Sequence, residues 1–143
     1  MDTREQATSA TPTCQLVRGA GSYDGKQGFT YQAGISAESA GAQALCMHML
    51  RLPPGARAKA HLHEQHETAI YVLSGITEMW YGPTLESHMV VGAGDFLYIP
   101  AGVPHLPYNP GPAEAVALIA RTDPNEQESV VLRPDLEAIH PIE

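Results

Sequence analysis

Apolar residues in this chain are grouped in short runs that are separated by turns containing glycine and proline. The runs are rich in β-branched and aromatic residues and are too short for helices, which is typical of β-strands. An amphipathic pattern with a period of 3.6 residues never spans more than two turns, and only Pro134–Ile139 is predicted to form a helical turn. The predicted strands cover Ala44–Leu52, Ala69–Leu73, Ile76–Tyr81, His88–Val91, Phe96–Ile99, Ala115–Ala120 and Ser129–Leu132. The pattern therefore predicts an all-β fold, a sandwich or a barrel.

Turn residues separate these runs throughout the chain, which contains 13 glycines and 12 prolines. Pro53-Pro54-Gly55 ends the first run, and Ser74-Gly75 stands directly between Ala69–Leu73 and Ile76–Tyr81. Two strands joined by so short a turn are predicted to form a hairpin.

Length and composition limit the kind of protein. The 143 residues fit one domain, which we place at residues 14–143 after a flexible polar arm at residues 1–13. The net charge of −8 argues against nucleic acid and anionic membranes as partners, because both would repel the chain. Neither a leader-like segment nor a run long enough to cross a bilayer is found. Cys14 and Cys46 are predicted to be free thiols, and we expect a cytoplasmic protein.

Four of the seven histidines lie in two short stretches that are predicted to meet at one metal site. His61 and His63 are two residues apart, so on a strand both side chains project from the same face. Either Glu67 or His66 follows after a turn as a further ligand, and His105 comes from a different strand. Three or four nitrogen and oxygen ligands leave a position open for water or substrate, which is typical of catalytic metal sites. Neutral imidazole suits Fe, Mn, Zn, Ni and Cu.

At these stretches the chain resembles the cupin superfamily. The second stretch agrees at every fixed position with the cupin motif G-x5-P-x-G-x2-H-x3-N, and the residues are Gly94, Pro100, Gly102, His105 and Asn109. The first stretch agrees with G-x5-H-x-H-x(3,4)-E-x6-G, and its residues are Gly55, His61, His63, Glu67 and Gly75. The spacing before Gly75 is one residue too long, so that counting back from Gly75 puts Thr68 at the usual glutamate position. Glu67 after a local bulge is the first choice for the third ligand, and His66 is the second.

The resemblance implies a single-domain antiparallel β-barrel of the jelly-roll type, similar to RmlC, with one metal site per chain and a tendency to form homodimers. It implies activities such as dioxygenase, isomerase, decarboxylase, epimerase or lyase. Our first hypothesis is an enzyme that acts on a small polar organic molecule with one divalent transition metal. Bound iron would favour an oxygenase, whereas other metals would favour an isomerase or a lyase, with Glu67 as the catalytic base if it is not a ligand.

Other readings remain beside this hypothesis. The same barrel is able to serve as a non-catalytic module that binds a small molecule or a sugar acid, whereas a purely structural metal site is disfavoured because no cysteine lies near it. His48 and His88 are expected to be ordinary core or surface histidines, and Asn109 is expected to stabilise its turn. Arg57 or Lys59 would hold a carboxylate substrate if it turned inward, although a solvated edge is the simpler expectation. Residues 121–129 are predicted to form a solvated loop, and a loop at the mouth of the barrel is also able to act as a lid.

Overall fold

The structure, a computed structural model, describes residues 11–19, 21–125 and 129–140 and confirms the all-β class. Residues 1–10 of the predicted arm lie outside the described residues. The described residues include two short helices, α1 at Ala37–Ala40 and α2 at Pro134–Glu137, and none of the helices in these ranges is long and apolar enough to cross a membrane. The strands are β1 Ser22–Asp24, β2 Thr30–Ile35, β3 Cys46–Leu52, β4 His61–His63, β5 Thr68–Ser74, β6 Ile76–Tyr81, β7 Ser87–Gly92, β8 Phe96–Ile99, β9 His105–Tyr108, β10 Ala115–Arg121 and β11 Val130–Leu132.

The strands form two antiparallel sheets that face each other. One sheet has six strands in the order β1-β2-β3-β10-β5-β8, and the other has five in the order β11-β4-β9-β6-β7. Side chains from both sheets line one cavity, so the sheets enclose a common lumen. The jelly-roll prediction is confirmed, although strand pairing in the described residues leaves two sheets rather than one closed barrel.

Strand β10 is the central strand of the six-stranded sheet, and its composition explains this position. It pairs with β3 on one side and with β5 on the other, and its residues before Arg121 are all apolar. Ala115, Ala117 and Ile119 are buried on one face of the strand, and Val116 on the opposite face is buried as well. Ala115 and Ile119 pack with Tyr31, Leu50 and other buried residues in the main hydrophobic cluster. These contacts pack the inner face of the six-stranded sheet into the hydrophobic core.

The predicted hairpin at Ser74-Gly75 is wrong. β5 belongs to the six-stranded sheet and β6 to the five-stranded sheet, where β6 forms its hairpin with β7. Gly75 is the corner at which the chain changes sheet. It has a φ of 82°, and a Cβ there would lie 2.6 Å from the carbonyl oxygen of Glu114. Only glycine combines this backbone angle with so close an approach.

Part of the outer face of the five-stranded sheet packs against the C-terminal segment. Leu106 follows His105 on β9 and faces away from the lumen, because side chains alternate along a strand. It forms a second buried cluster with Leu85, Ala60 and Leu136, the last of which lies on α2. The opposite, inner face of β4 and β9 carries polar side chains.

The two cysteines do not form a disulfide with each other, as predicted. Cys46 is buried at the start of β3, and Cys14 is exposed in the N-terminal segment. Neither residue belongs to the group of histidines described below.

Candidate metal centre

Three imidazoles from two neighbouring strands converge in the lumen. His61 and His63 are the first and last residues of β4, so they point to the same side, and His105 on β9 lies directly opposite His61. One nitrogen of each ring lies within 4.8 Å of the corresponding nitrogens of the other two. All three residues are buried. His61, His63 and His105, hereafter the histidine triad, form a group that can hold a metal ion.

The corner before β9 places His105. Gly102 has a φ of 82°, a region that favours glycine, and its N–H donates to the carbonyl oxygen of His63 at 2.7 Å. Prolines at positions 100 and 104 stiffen the chain on either side of this glycine. The corner is thus tied directly to the strand that carries the other two triad members.

Asn109 fixes the far end of β9 through backbone contacts, as expected. Its Nδ2 donates to the carbonyl oxygens of Leu52 and Ala113, each at 2.9 Å, and its Oδ1 accepts from the N–H of Gly111 at 2.8 Å. The side chain is buried, so each of these bonds satisfies a group that water does not reach. Asn109 therefore stabilises the turn and takes no part in the triad.

Backbone carbonyls determine the tautomer of two triad members. The Nδ1–H of His61 donates to the carbonyl oxygen of Lys59 at 2.7 Å, and the Nδ1–H of His105 donates to that of Val103 at 2.9 Å. A carbonyl oxygen only accepts, so in the neutral rings the proton is on Nδ1 and Nε2 keeps its lone pair. A carbonyl contact of this kind orients histidines that bind metals.

The triad is neutral at ordinary pH. Burial lowers the pKa of His105 to about 4, against a weaker opposing effect of its bond to Val103. Burial, followed by the charge of a protonated His105, holds the pKa of His61 well below its usual range. Burial and then the charge of Arg121 hold the pKa of His63 far below its usual value. Neutral imidazoles are the form that binds metal ions.

His66 lies beside the triad without belonging to it. Its ring centroid is 4.6 Å from that of His63, and its Nδ1 is 2.6 Å from Oγ of Ser129 and 3.6 Å from a carboxylate oxygen of Asp123. Within the described ranges, its buried Nε2 has no hydrogen-bond partner. The pKa of His66 is lowered by burial first and then by the charge of Arg121.

Glu67 is not brought to the triad, which revises its predicted position. The residue is exposed, and one of its carboxylate oxygens accepts a hydrogen bond from the hydroxyl of Tyr98 at 2.7 Å. The next residue, Thr68, begins β5 and is buried in the lining of the lumen. Adjacent residues of a strand project to opposite faces, so the inward position belongs to Thr68 and Glu67 faces outward.

The lumen is mostly apolar around the triad. Its cavity has a volume of about 60 Å³, and aliphatic side chains such as Leu50, Val72 and Ile99 form much of its wall. The polar lining residues other than the triad are Tyr31, Thr68, Thr77 and Arg121, whereas Arg57 and Lys59 do not line it. The lumen therefore offers few polar groups, each at a defined place.

Arg121 is a charged residue of this lining that the sequence interpretation missed. The predicted solvated loop is wrong at this position, because Arg121 is the last residue of β10 and is 4% exposed. The available signal was its spacing. Arg121 is two residues beyond Ile119 and four beyond Ala117, so strand alternation puts all three side chains on the face toward the lumen.

The two isolated histidines have the ordinary roles that were expected. His48 is buried on β3, where its ring meets the edges of Tyr23 and Tyr31. His88 is exposed on β7, and its Nε2 lies 2.9 Å from the hydroxyl of Tyr108 and 3.1 Å from a carboxylate oxygen of Glu78. Neither ring belongs to the triad.

The residues of the lumen fit a divalent metal. Two triad members present an unprotonated Nε2, and Nδ1 of His63 is buried with no hydrogen-bond partner among the described residues. Leaving such a nitrogen unsatisfied costs free energy that a bound cation would recover. Three neutral imidazoles without a thiolate suit Fe, Mn, Zn, Ni or Cu, which agrees with the predicted cofactor.

Two antiparallel sheets that face each other across a lumen form a double-stranded β-helix fold. The chain belongs to the cupin family, since the cupin domain model matches residues 48–120. The match includes the whole triad and ends one residue before Arg121. A search of curated proteins finds no match to this chain.

Solved structures with the same fold come from proteins of different kinds. The polyketide cyclase RemF from Streptomyces resistomycificus is 23% identical with a TM-score of 0.66, over 87% of this chain and 90% of that one. An uncharacterized conserved protein with a double-stranded β-helix domain from Klebsiella pneumoniae is 16% identical with a TM-score of 0.61, over 90% and 88%. The oxalate decarboxylase of Lactobacillus farciminis, in its formate complex, is 18% identical with a TM-score of 0.66, over 85% and 36%. At these identities the likeness shows the fold alone.

Proposed function

We propose that this protein is a metal-dependent enzyme that acts on a small polar organic molecule inside the lumen. The observation that carries the proposal is the histidine triad, whose ring nitrogens lie within 4.8 Å of one another in a buried position. His61, His63 and His105 would hold one divalent metal. When bound, such a metal polarises substrate oxygens, lowers the pKa of bound water or, if it is iron, activates dioxygen. The protein supplies orientation, neutral ligands and an apolar wall that excludes water.

A fourth protein ligand, if there is one, is better supplied by His66 than by Glu67. The His66 ring lies against His63 and keeps a buried nitrogen without a hydrogen bond in the described structure. Glu67 is exposed and bonded to Tyr98. For the same reason we no longer favour Glu67 as a catalytic base, because an exposed outward carboxylate does not reach a substrate in the lumen.

The cavity limits the substrate to a small molecule. A volume of about 60 Å³ has room for only a few water-sized groups. The apolar wall would bind the carbon skeleton, and the triad side would bind oxygens. The reaction class is either that of a dioxygenase or that of an isomerase or lyase, and the bound metal would discriminate between them.

Metal content tests this proposal directly. The protein is purified without added metal and the metals are quantified by elemental analysis, in the wild type and in His61→Ala and His105→Ala. We expect one metal per chain in the wild type and a loss of metal in both variants, with the strand content unchanged by circular dichroism. The exposed His88→Ala variant is the matched control and should keep its metal. Full metal content in both triad variants would refute the ligand assignment.

The identity of the metal extends the test to the reaction class. Iron at one equivalent that gives a nitrosyl signal in electron paramagnetic resonance after addition of nitric oxide supports a dioxygenase, because nitric oxide needs an open position. Zinc, nickel or manganese at one equivalent supports an isomerase or a lyase.

A non-catalytic binding module is the second candidate, and the small apolar cavity favours it. Such a module would keep a closed lumen and bind its ligand without a metal. A protein that carries no metal when purified, yet is stabilised against heat by a small organic acid, supports this alternative over the enzyme.

We also propose that the protein works in the cytoplasm as a homodimer, without nucleic acid or membrane partners. The acidic composition argues against nucleic acid and anionic membranes as partners, since the net charge is −8. Exposed apolar residues support self-association, among them Phe96, which is 82% exposed, and Val90. Sedimentation equilibrium tests the dimer, and a monomer at micromolar concentration would contradict it.

A further inference from the structure

A cationic and a hydroxyl side chain lie next to each other in the lumen. Arg121 on β10 and Thr68 on β5 are direct cross-strand partners, so their side chains project from the same face of the sheet. Both residues line the same cavity as the histidine triad, and both are almost completely buried. In the described structure, Oγ1 of Thr68 is a buried atom without a hydrogen-bond partner. A hydroxyl in this position is ready to bond to a ligand.

Two contacts hold the guanidinium of Arg121 in place. Its Nη1 donates to Nε2 of His48 at 3.2 Å, and its central carbon lies 5.8 Å from the centroid of the Tyr31 ring. His48 accepts this bond as a neutral ring, since burial and then the charge of Arg121 lower its pKa to about 3. A guanidinium fixed in this way loses little conformational freedom when it binds a ligand.

The lumen carries positive charge and lacks acidic groups in its lining. None of the described residues that line the cavity is Asp or Glu. Arg121 lines the same cavity as the three rings of the triad, so its charge acts on the same space. A metal bound there would add further positive charge. A ligand that enters this space is therefore favoured when it brings a negative charge.

We propose that Arg121 and Thr68 form an anion subsite that binds the carboxylate of a small substrate, while the other end of the same molecule reaches the triad. The inference rests on the proposed function and names its substrate class as a small carboxylate. Guanidinium recognises a planar carboxylate with two parallel hydrogen bonds, and the threonine hydroxyl adds a third. The cavity of about 60 Å³ restricts the molecule to a few heavy atoms.

The experiment compares glycolate with glycolamide, which have the same size and differ in charge. Protein loaded with Mn²⁺ is titrated with each compound by isothermal calorimetry, and metal content is measured separately on every sample. We expect the wild type to prefer glycolate. Arg121→Met should weaken glycolate binding by about 10- to 100-fold, the range for a lost hydrogen bond to a charged group, and should leave glycolamide binding unchanged. Thr68→Val should weaken glycolate binding by about 3- to 10-fold.

A matched control separates the subsite from a general charge effect. Arg51→Met removes an exposed arginine from β3, where its Nη1 pairs with a carboxylate oxygen of Glu114 at 3.3 Å. This variant should bind glycolate like the wild type. Equal affinity of the wild type for glycolate and glycolamide would overturn the subsite, and so would full glycolate affinity in folded, metal-loaded Arg121→Met.

Failure of the subsite and failure of the metal proposal give different results. If the wild type takes up no metal, the proposed function fails, and the same titrations of the metal-free protein then decide the subsite by the same criteria. If Arg121→Met does not fold, as judged by near-ultraviolet circular dichroism, the glycolate affinity of Thr68→Val tests the anion subsite instead. Wild-type glycolate affinity in Thr68→Val would then overturn the subsite.

Discussion

Mild acid should destabilise this protein, because its fold keeps several imidazoles buried and neutral. His48 gives the clearest case outside the triad. It is 2% exposed, makes T-shaped contacts with the rings of Tyr23 and Tyr31, and accepts a hydrogen bond from Arg121. Burial, followed by the neighbouring charge of Arg121, lowers its pKa from 6.5 to about 3. Between pH 6.5 and about 3, the imidazole of His48 is protonated in the unfolded chain and neutral in the folded chain.

The direction and the size of the effect follow from proton linkage. Above pH 6.5 both states hold a neutral ring, so this side chain makes no pH-dependent contribution. As the pH falls below 6.5, only the unfolded state gains the proton, and the free energy of unfolding decreases until the pH reaches about 3. At pH 5 the loss from His48 is about 2 kcal/mol. His105, whose pKa is lowered to about 4, adds a loss of similar size.

Urea unfolding of the metal-free protein at pH 7.5 and pH 5.0 measures this loss. We expect His48→Gln to lose about 2 kcal/mol less than the wild type between the two pH values, because glutamine accepts the bond from Arg121 but does not titrate. The difference between two pH values cancels the direct cost of the substitution. The reasoning is refuted if His48→Gln and the wild type show the same loss.

Three further substitutions test the corner, the turn and the outward carboxylate. Gly75→Ala should lower the free energy of unfolding in urea by about 2–4 kcal/mol, because it combines a left-handed backbone with a backbone clash. Gly94→Ala, with a φ of 90° and open space around it, should lower it by only about 1 kcal/mol. Equal losses in the two variants would contradict the role of Gly75 as the corner where the chain changes sheet. Asn109→Ala should lower the free energy of unfolding by about 2–4 kcal/mol, because it leaves buried backbone groups unsatisfied, and a neutral effect would count against its role in the turn. Glu67→Gln should keep full metal content in elemental analysis, and a loss of metal would restore it as a ligand.

Local pattern was sufficient for the strands whose neighbours in sequence are turns. β6 and β8 have the bounds that the apolar runs predict, because glycine and proline end each run. β1 and β2 were not predicted, since they lie toward one edge of their sheet and have polar residues at several positions. Edge strands need less apolar surface than central ones, so their sequence carries a weaker signal.

The histidine triad could be predicted from the sequence because most of its geometry is short-range. His61 and His63 share a face through strand alternation alone, and the Gly102 corner that presents His105 is encoded within a few residues. The pairing of His61 with His105 adds the one long-range contact. The spacing of the two motifs was enough to anticipate it through the resemblance to cupins.

Only the tertiary structure decided which residues surround the triad. Whether Glu67 or Thr68 faces inward depends on where β5 begins, and a shift of one residue exchanges the two faces. The choice of sheet at Gly75 and the burial of Arg121 depend on partners that lie far away in sequence, Glu114 and His48. Alternation along a strand is a local property that the sequence determines, whereas strand register and the partner strand follow from long-range packing.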